Sequence, residues 1–404
     1  DTELELGAQL DFQFPISDSS HALTTQVRNL VPSPDGRKLA FTALNRLYLM
    51  DYPNGKPKRL TNHNFTEAMP VWSPDGSSLV FSTWTPEGGH LYKIVLNGKT
   101  EAQQLTRVPG LYQFANFTPN GERIIFQRSN AEVYRQSISP YYNNAEEELC
   151  WIPAAGGEIS VIDKCLGRYN PHFVKGDNRI YLNQGGQLLS IQWDGSDEKV
   201  HARISGITTY GMSNFQNGVP MVDKCILSEA AAEAMEMQMP SSAANIRMAP
   251  TGNQAFAQIN NELYLVTIPQ TGKMVNINVA DVAIANFPAR KLTTLGGEFP
   301  SWENDGKKLH WTLGNAHFKY DIDKAIQYED SVKAAKKTEA KKTADSLKNL
   351  TTKADSLVKT GVQGAVAGTD SAKAKPGETV KPKEEAVYKP VETAISIYYE
   401  RDMP

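Results

Sequence analysis

Short apolar runs alternate with tight polar turns along most of this chain, and the same pattern recurs six times. The first copy, VPSPDGRKLAF, places Pro34, Asp35 and Gly36 in the turn; the second, PVWSPDGSSLVF, places Pro74, Asp75 and Gly76 there. Later copies decay but keep the beat: NFTPNGERIIF (Pro119, Asn120, Gly121), PHFVKGDNRIYL (Gly176, Asp177), RMAPTGNQAF (Pro250, Gly252) and PSWENDGKKLHW (Asp305, Gly306). Proline presets φ at the first corner of such a turn, Asp or Asn caps it with a side-chain oxygen, and glycine accepts positive φ. The runs that follow, such as Lys38-Leu39-Ala40-Phe41 and Arg123-Ile124-Ile125-Phe126, predict short strands buried on both faces. A further strand comes next in RLYLMDY, HLYKIVL, ELCWIPA, QLLSIQW and ELYLVTI, and most of these run into hairpin signals such as Asn54-Gly55, Asn97-Gly98, Gly156-Gly157 and Asp194-Gly195. PKRLT, AQQLT and ARKLT, ending at Thr61, Thr106 and Thr293, close the unit.

One period therefore holds about four strands, and six periods predict a six-bladed β-propeller. A solenoid is the competing repeat architecture, but it needs a stricter period and atypical caps. The ring is expected over residues 22–325, after an N-terminal arm at 1–21 that is a candidate closing strand. Residues 326–390 form a Lys/Ala-rich polar stretch, read as a linker or an insertion, and residues 391–404 hold a C-terminal strand. The last repeat has only one clear strand, HFKYDI, after its turn motif. Its missing partner is expected either from Thr393 to Arg401 or from the start of the chain around Phe12 to Phe14 and Ala22 to Thr25.

Composition narrows this picture. With 404 residues, 40% of them hydrophobic, the chain can bury a sizeable core. A net charge of -3 gives no reason to expect nucleic acid, and no apolar run approaches the roughly eighteen residues of a membrane span. The opening Asp1-Thr2-Glu3 reads as a processed or trimmed terminus. Between Glu329 and Val387 there is no aromatic residue; Ser331 to Lys359 predicts a solvated helix with a thin stripe of Leu347, Leu350, Ala354 and Leu357, and Gly361 to Pro390 predicts irregular chain. Ser228 to Ser242, rich in Ala, Glu and Met, predicts a short inserted helix whose Met235, Met237 and Met239 pack on the propeller rim or meet a partner. Cys150, Cys165 and Cys225 are too few for a disulfide framework and wrongly spaced for zinc. Either Cys150 and Cys165 are bridged across the Ala-Ala-Gly-Gly hairpin, though out of register, or all three are buried thiols.

The search for chemistry yields no catalytic, cofactor-binding or metal-ligating residue. There is no Gly-x-Ser-x-Gly elbow and no phosphate loop. His21, His63, His90, His172, His201, His310 and His317 are scattered without ligand spacing. Asp75, Asp305 and their equivalents recur with the turns, which assigns them to capping. Trp72, Phe117, Phe173 and Trp302 precede the turns at matching places, which assigns them to inter-blade packing. The central channel is the default ligand site of such a ring.

The repeats VPSPDGRKLAFTALNRLYLMD and PVWSPDGSSLVFSTW resemble the TolB-like branch of WD-type propeller repeats, over roughly residues 22–325. More narrowly, ALNRLYLMDYPNGKPKRLT, GRYNPHFVKGDNRIYL, LLSIQWDGSDEKVHA and EFPSWENDGKKLHWTLGNAHFKYDID are similar to the propeller portion of bacterial envelope or secreted metal-dependent amidohydrolases. AISIYYERDMP looks like the segment where such proteins cross into a TIM-barrel hydrolase domain, whose His-x-His and later His and Asp ligands have no counterpart here. The resemblance implies a non-catalytic propeller segment that docks on, or gates substrate for, an amidohydrolase domain carrying a divalent metal such as zinc. It also implies a periplasmic, outer-membrane-associated or secreted location, with other envelope proteins as further candidate partners. The alternative is a stand-alone TolB-like interaction scaffold; a peptidase gate ranks third.

Overall fold

The computed structural model describes residues 21–23, 26–96, 101–136, 147–206, 215–216, 219–220, 240–359 and 387–400. Six sheets follow one another along the chain. From the axis outward, blade one is Arg28–Pro32, Lys38–Ala43, Arg46–Asp51 and Lys58–Arg59. Blade two is Thr66–Trp72, Ser78–Trp84, Leu91–Val95 and Gln103–Gln104. Blade three is Leu111–Phe117, Arg123–Ser129, Glu148–Pro153 and Ser160–Lys164; blade four is Tyr169–His172, Ile180–Gln184, Gln187–Ile191 and Lys199–Gly206. Blade five is Asn245–Met248, Gln254–Ile259, Glu262–Thr267 and Ala289–Lys291. Blade six is Glu298–Trp302, Lys308–Leu313, Ala316–Asp321 and Val391–Ala394. The inner strands of blades six and one touch, so the sheets form the expected six-bladed propeller.

The second strand of each blade lies between two neighbours, and its period of two divides its side chains between two cores. Leu39 and Phe41 face the seam with blade six, while Ala40 joins Leu79 and Phe81 of blade two. Val80 turns the other way to meet Ile124 and Phe126 of blade three, and Ile125 faces blade four. This is why these runs read as continuously apolar. Trp72 and Trp302 are buried at the ends of inner strands, and each indole donates to the preceding blade, Nε1 to Val31 O and to Arg247 O, both at 3.1 Å.

The turn chemistry is local. Ser73 Oγ donates to Asp75 Oδ1 at 2.5 Å, the Ser77 amide donates to the same oxygen at 3.0 Å, and Gly76 takes φ of 71°. Those hydrogen bonds, led by the Ser73 hydroxyl, hold the Asp75 carboxyl down to about 2. Ser33 with Asp35 and Thr118 with Asn120 repeat the arrangement. Two of the threonines that end the unit cap the third strand, Leu91 N donating to Thr106 Oγ1 at 3.1 Å and Leu263 N to Thr293 Oγ1 at 2.9 Å; in blade one Leu47 N donates instead to Glu67, which also accepts from Thr61.

Closure draws on the end of the chain. The strand that completes blade six is Val391–Ala394, paired with Ala316–Asp321 with Thr393 opposite His317. It is shorter and earlier than the Thr393 to Arg401 run expected, because the apolar Ile395 and Ile397 leave that sheet and bury themselves against Val27, Leu30 and Leu39 of blade one. Tyr398–Glu400 then pairs with His21–Leu23, so the C-terminal segment and the start of the chain meet each other; Phe12 to Phe14 lie outside the described residues.

The expected helix also starts earlier than Ser331. It spans Ile322–Lys359 as an extension of the third strand of blade six, since Ile322 and Ala325 are apolar and buried on the blade. Arg290 Nη1 donates to Glu329 Oε1 at 2.5 Å, which ties it to blade five. Blade four gains two additions, Val275–Asn278 in parallel and Ser241–Ser242 antiparallel on Lys199–Gly206. The Met-rich insertion up to Met239, Cys225, and the side chains of Leu347, Leu350, Ala354 and Leu357 lie outside the described residues.

Ile395 is 1% exposed, so Ile395→Ala is expected to lower unfolding free energy by about 2–4 kcal/mol in urea denaturation. Val391→Ala, at a position 55% exposed, is expected to change it by less than about 0.5 kcal/mol. Equal effects would contradict closure by the buried isoleucine.

Candidate functional site

The ring encloses a channel of about 500 Å³ whose wall runs from the inner strands to the turn prolines Pro34, Pro74, Pro119 and Pro250. Five of the six inner strands carry a bulge there, between Arg28 and Val31, Ala68 and Val71, Gln113 and Asn116, Tyr169 and His172, and Glu298 and Ser301. In each bulge a non-glycine residue is left-handed: Asn29 (φ 51°), Met69 (51°), Phe114 (52°), Asn170 (58°) and Phe299 (52°). That conformation costs roughly 1–2 kcal/mol per residue, and the return is a bent strand with an extra residue at the channel. The inner strand of blade five pairs without a shift and contributes Asn245 at the same level. Side chains stitch the inner strands together: Asn170 Nδ2 donates to Asn245 Oδ1 at 2.8 Å, Asn116 Nδ2 to Pro171 O at 3.2 Å, and Ser301 Oγ to Leu30 O at 2.9 Å. His172 bridges blades four and five, with Nδ1–H donating to Asn170 O at 2.9 Å and Nε2 accepting the Met248 amide at 3.0 Å. Burial, and next the Arg247 charge, pull the His172 imidazole down to about 3 and keep it neutral.

The charged residues of the channel wall are Arg247 and Lys175, with no carboxylate among the described lining residues. Lys175 Nζ donates to Asn304 O at 2.9 Å. Arg247 keeps some solvent contact but is enclosed by the ring, and the lost hydration lowers its guanidinium to about 10.

A second polar cluster is buried where blade six meets blade one. Glu303 stands where blades one to three carry a turn-capping Ser or Thr. His310 Nε2–H donates to Glu303 Oε1 at 2.9 Å, and His310 Nδ1 accepts from His317 Nε2–H at 2.8 Å, with tautomers following from this chain of bonds. Lys319 and Lys308 each approach a Glu303 oxygen at 3.0 Å, and Tyr52 of blade one lies edge-on to His317 at 5.2 Å. Burial alone would raise the Glu303 carboxyl, but the bonds from His310, Lys319 and Lys308 outweigh it and hold the group far below the carboxylate range. Burial pulls His317 down to about 3, and also lowers His310 against the pull of Glu303. The cluster therefore holds one buried anion under two cations and two neutral imidazoles. It packs against the first turn, where a Cβ on Gly36 would lie 3.0 Å from Glu303 Oε1, so the geometry is that of a seam tie.

Sequence spacing alone missed both features. His310 and His317 are seven positions apart and meet only because they lie on paired strands flanking the turn at Gly314–Asn315. The bulge residues are not of one residue type, but Asn29, Met69, Phe114 and Phe299 each precede the turn glycine by the same seven positions as 29 precedes 36, with Asn170 one position closer to Gly176, and that offset was the available signal. Asp35, Asp75 and Asp305 serve as turn caps. Cys150 and Cys165 are unbridged, because Cys150 faces blade two and Cys165 faces blade four; burial pushes both thiols up to about 12. Among the described residues no group of three or more His, Cys, Asp or Glu side chains is placed to hold a metal ion, and no helix is long and apolar enough to cross a membrane.

The face opposite the turns carries the loops between blades. Val108, Leu166 and Leu295 in those loops are 62%, 62% and 83% exposed, and Leu44 in a hairpin on the same face is 46% exposed.

No family model matches this chain. An uncharacterized peptidase, YuxL, of Bacillus subtilis is 38% identical over 61 residues, 14% of this chain and 9% of that protein's length. A protein described as a TolB from Agrobacterium tumefaciens is 13% identical, with 72% of this chain and 91% of that one covered and a TM-score of 0.45. For TolB from Acinetobacter baumannii the values are 16%, 69%, 57% and 0.43. An oligogalacturonate lyase in complex with manganese is 13% identical, with coverage of 75% and 76% and a TM-score of 0.46. At this level the likenesses concern shape and transfer no activity.

The seam has a pH signature. The folded His317 pKa of about 3 lies below the ordinary 6.5. Below pH 6.5 the unfolded chain therefore takes up a proton that the folded chain refuses, and stability falls progressively towards pH 3. His172 acts in the same window. Melting temperature measured between pH 7 and pH 4 is expected to drop, and His317→Phe should flatten the drop while lowering stability at pH 7. An unchanged slope would contradict a neutral buried imidazole.

Proposed function

We propose that this propeller is a docking scaffold of the bacterial cell envelope that binds a protein partner on its inter-blade loop face. The observation that carries this reading is the set of exposed apolar side chains Leu44, Val108, Leu166 and Leu295 on one face of the ring. Loops between blades are free to carry polar residues, so large apolar groups turned outward there have no folding role, and in this reading they serve recognition. The envelope placement is supported by the resemblance of the SPDG repeats to TolB-like propellers.

A narrower reading makes the partner a metal-dependent amidohydrolase domain, with a divalent metal such as zinc held by that domain. Its support is the sequence similarity of the repeats and of AISIYYERDMP to propeller portions of such enzymes. In this reading too the chain serves docking or substrate gating.

A photo-crosslinking residue placed at Leu166 or Leu295 in the native host is expected to trap a discrete adduct that Lys58 and Gln104 on the outer rim do not. Leu166→Glu with Leu295→Glu should reduce the captured partner about tenfold or more, with an unchanged melting temperature. Adducts only from the rim would contradict loop-face docking. Mass spectrometry of the adduct separates the two readings, since an envelope protein without a hydrolase domain would contradict the narrower one.

A further inference from the structure

The channel at the opposite mouth carries a recognition site of its own. Arg247 lines it from the inner strand of blade five, and its guanidinium has no hydrogen-bond or ion-pair partner among the described residues, lost hydration being the one influence on it. An enclosed cation without a partner is costly, and it is retained where water or a ligand completes it. Around it the wall holds the Asn29, Asn116, Asn245 and Gln258 amides and the rings of Phe114 and Phe299; Asn116 and Gln258 each use one N–H on a backbone carbonyl and Asn245 accepts from Asn170, which leaves each amide a second N–H. This cationic wall belongs to a chain whose net charge is -3, so it does not follow from overall composition.

We infer that the channel binds the carboxylate of an extended peptide segment, with Arg247 as its fork-shaped partner. A guanidinium presents two parallel N–H donors that match the two oxygens of a carboxylate. One enclosed positive charge balances one carboxylate, whereas a phosphate brings close to two negative charges and would leave one unmatched. Lys175, which already donates to Asn304 O, stands at the rim among the turns and steers an anion inward. The bulges leave backbone groups unpaired at the channel, and with the asparagine amides they supply donors and acceptors for an extended main chain. A volume of about 500 Å³ is of the size that encloses a small ligand or a short peptide end.

The site is independent of the loop face, and the two can fail separately. Trp72 and Trp302 line the channel, so intrinsic fluorescence reports occupancy. The probes are acetyl-tetra-alanine with a free C-terminus, the same peptide amidated, and an amidated acetyl-tetrapeptide carrying one aspartate. Binding of the first and not the third assigns a chain-terminal carboxylate, and binding of the third assigns an acidic side chain; either supports the inference. The fully amidated neutral peptide should bind at least about tenfold more weakly, a difference of about 1.4 kcal/mol or more. Arg247→Gln should remove the preference and Arg247→Lys should keep part of it, with circular dichroism confirming that both fold. Three outcomes overturn the inference: no saturation at millimolar concentration with either carboxylate peptide, equal binding of the neutral peptide to the wild-type protein, or inorganic phosphate displacing the peptide at a concentration where acetate does not.

Discussion

Each sheet of this protein is apolar on both faces, and everything else in the structure follows from the need to cover the two faces at once. A stack of sheets would leave two outer faces in water, whereas a ring leaves none. The alternation of Leu39, Ala40 and Phe41, or of Ile124, Ile125 and Phe126, between two different cores is the direct expression of that need. Trp72 and Trp302 reinforce it by donating a hydrogen bond across a blade boundary from within the apolar contact.

A ring of sheets concentrates its vulnerability at one seam, where the chain must come back to its start. Here the seam is held in three ways: by a fourth strand recruited from beyond a long insertion, by Ile395 and Ile397 lodged against blade one, and by the Glu303, His310 and His317 cluster pressed on the first turn. Glu303 replaces a hydroxyl that serves the equivalent turns well. The replacement makes sense at the seam, where a longer side chain reaches several donors and meets Gly36 of the next blade. The insertion starts as a helix continuous with blade six, so the third strand and the closing strand stay in one sheet although far apart in sequence.

The blades were legible because their signals are local: a proline, an Asp or Asn, a glycine and an apolar run decide a hairpin within a dozen residues or so. Even the decayed turn at Gly176 and Asp177 could be placed from its neighbours. What the chain did not reveal depends on meetings between distant residues. The alternation in TAISIYYER suggests one strand, but Ile395 and Ile397 are apolar for packing on a blade begun more than three hundred and fifty residues earlier. Arg247 sits in a run, RMAP, that reads as ordinary strand, and its isolation emerges only from the assembled channel wall, which Glu67 and Glu298 of the inner strands of blades two and six do not line. The ring thus offers two distinct surfaces, an apolar loop face and a cationic channel, on strands rigid enough to hold both.

The most direct test of the closed ring is native-state hydrogen exchange of the second strands of blades one and six, Lys38–Ala43 and Lys308–Leu313, in the full chain and in one truncated after Lys389. Mutual coverage requires both strands to exchange with the same opening free energy in the full chain and to lose protection together on truncation. Blade one keeping its protection while blade six alone exchanges would show sheets that stand independently, and would contradict the account.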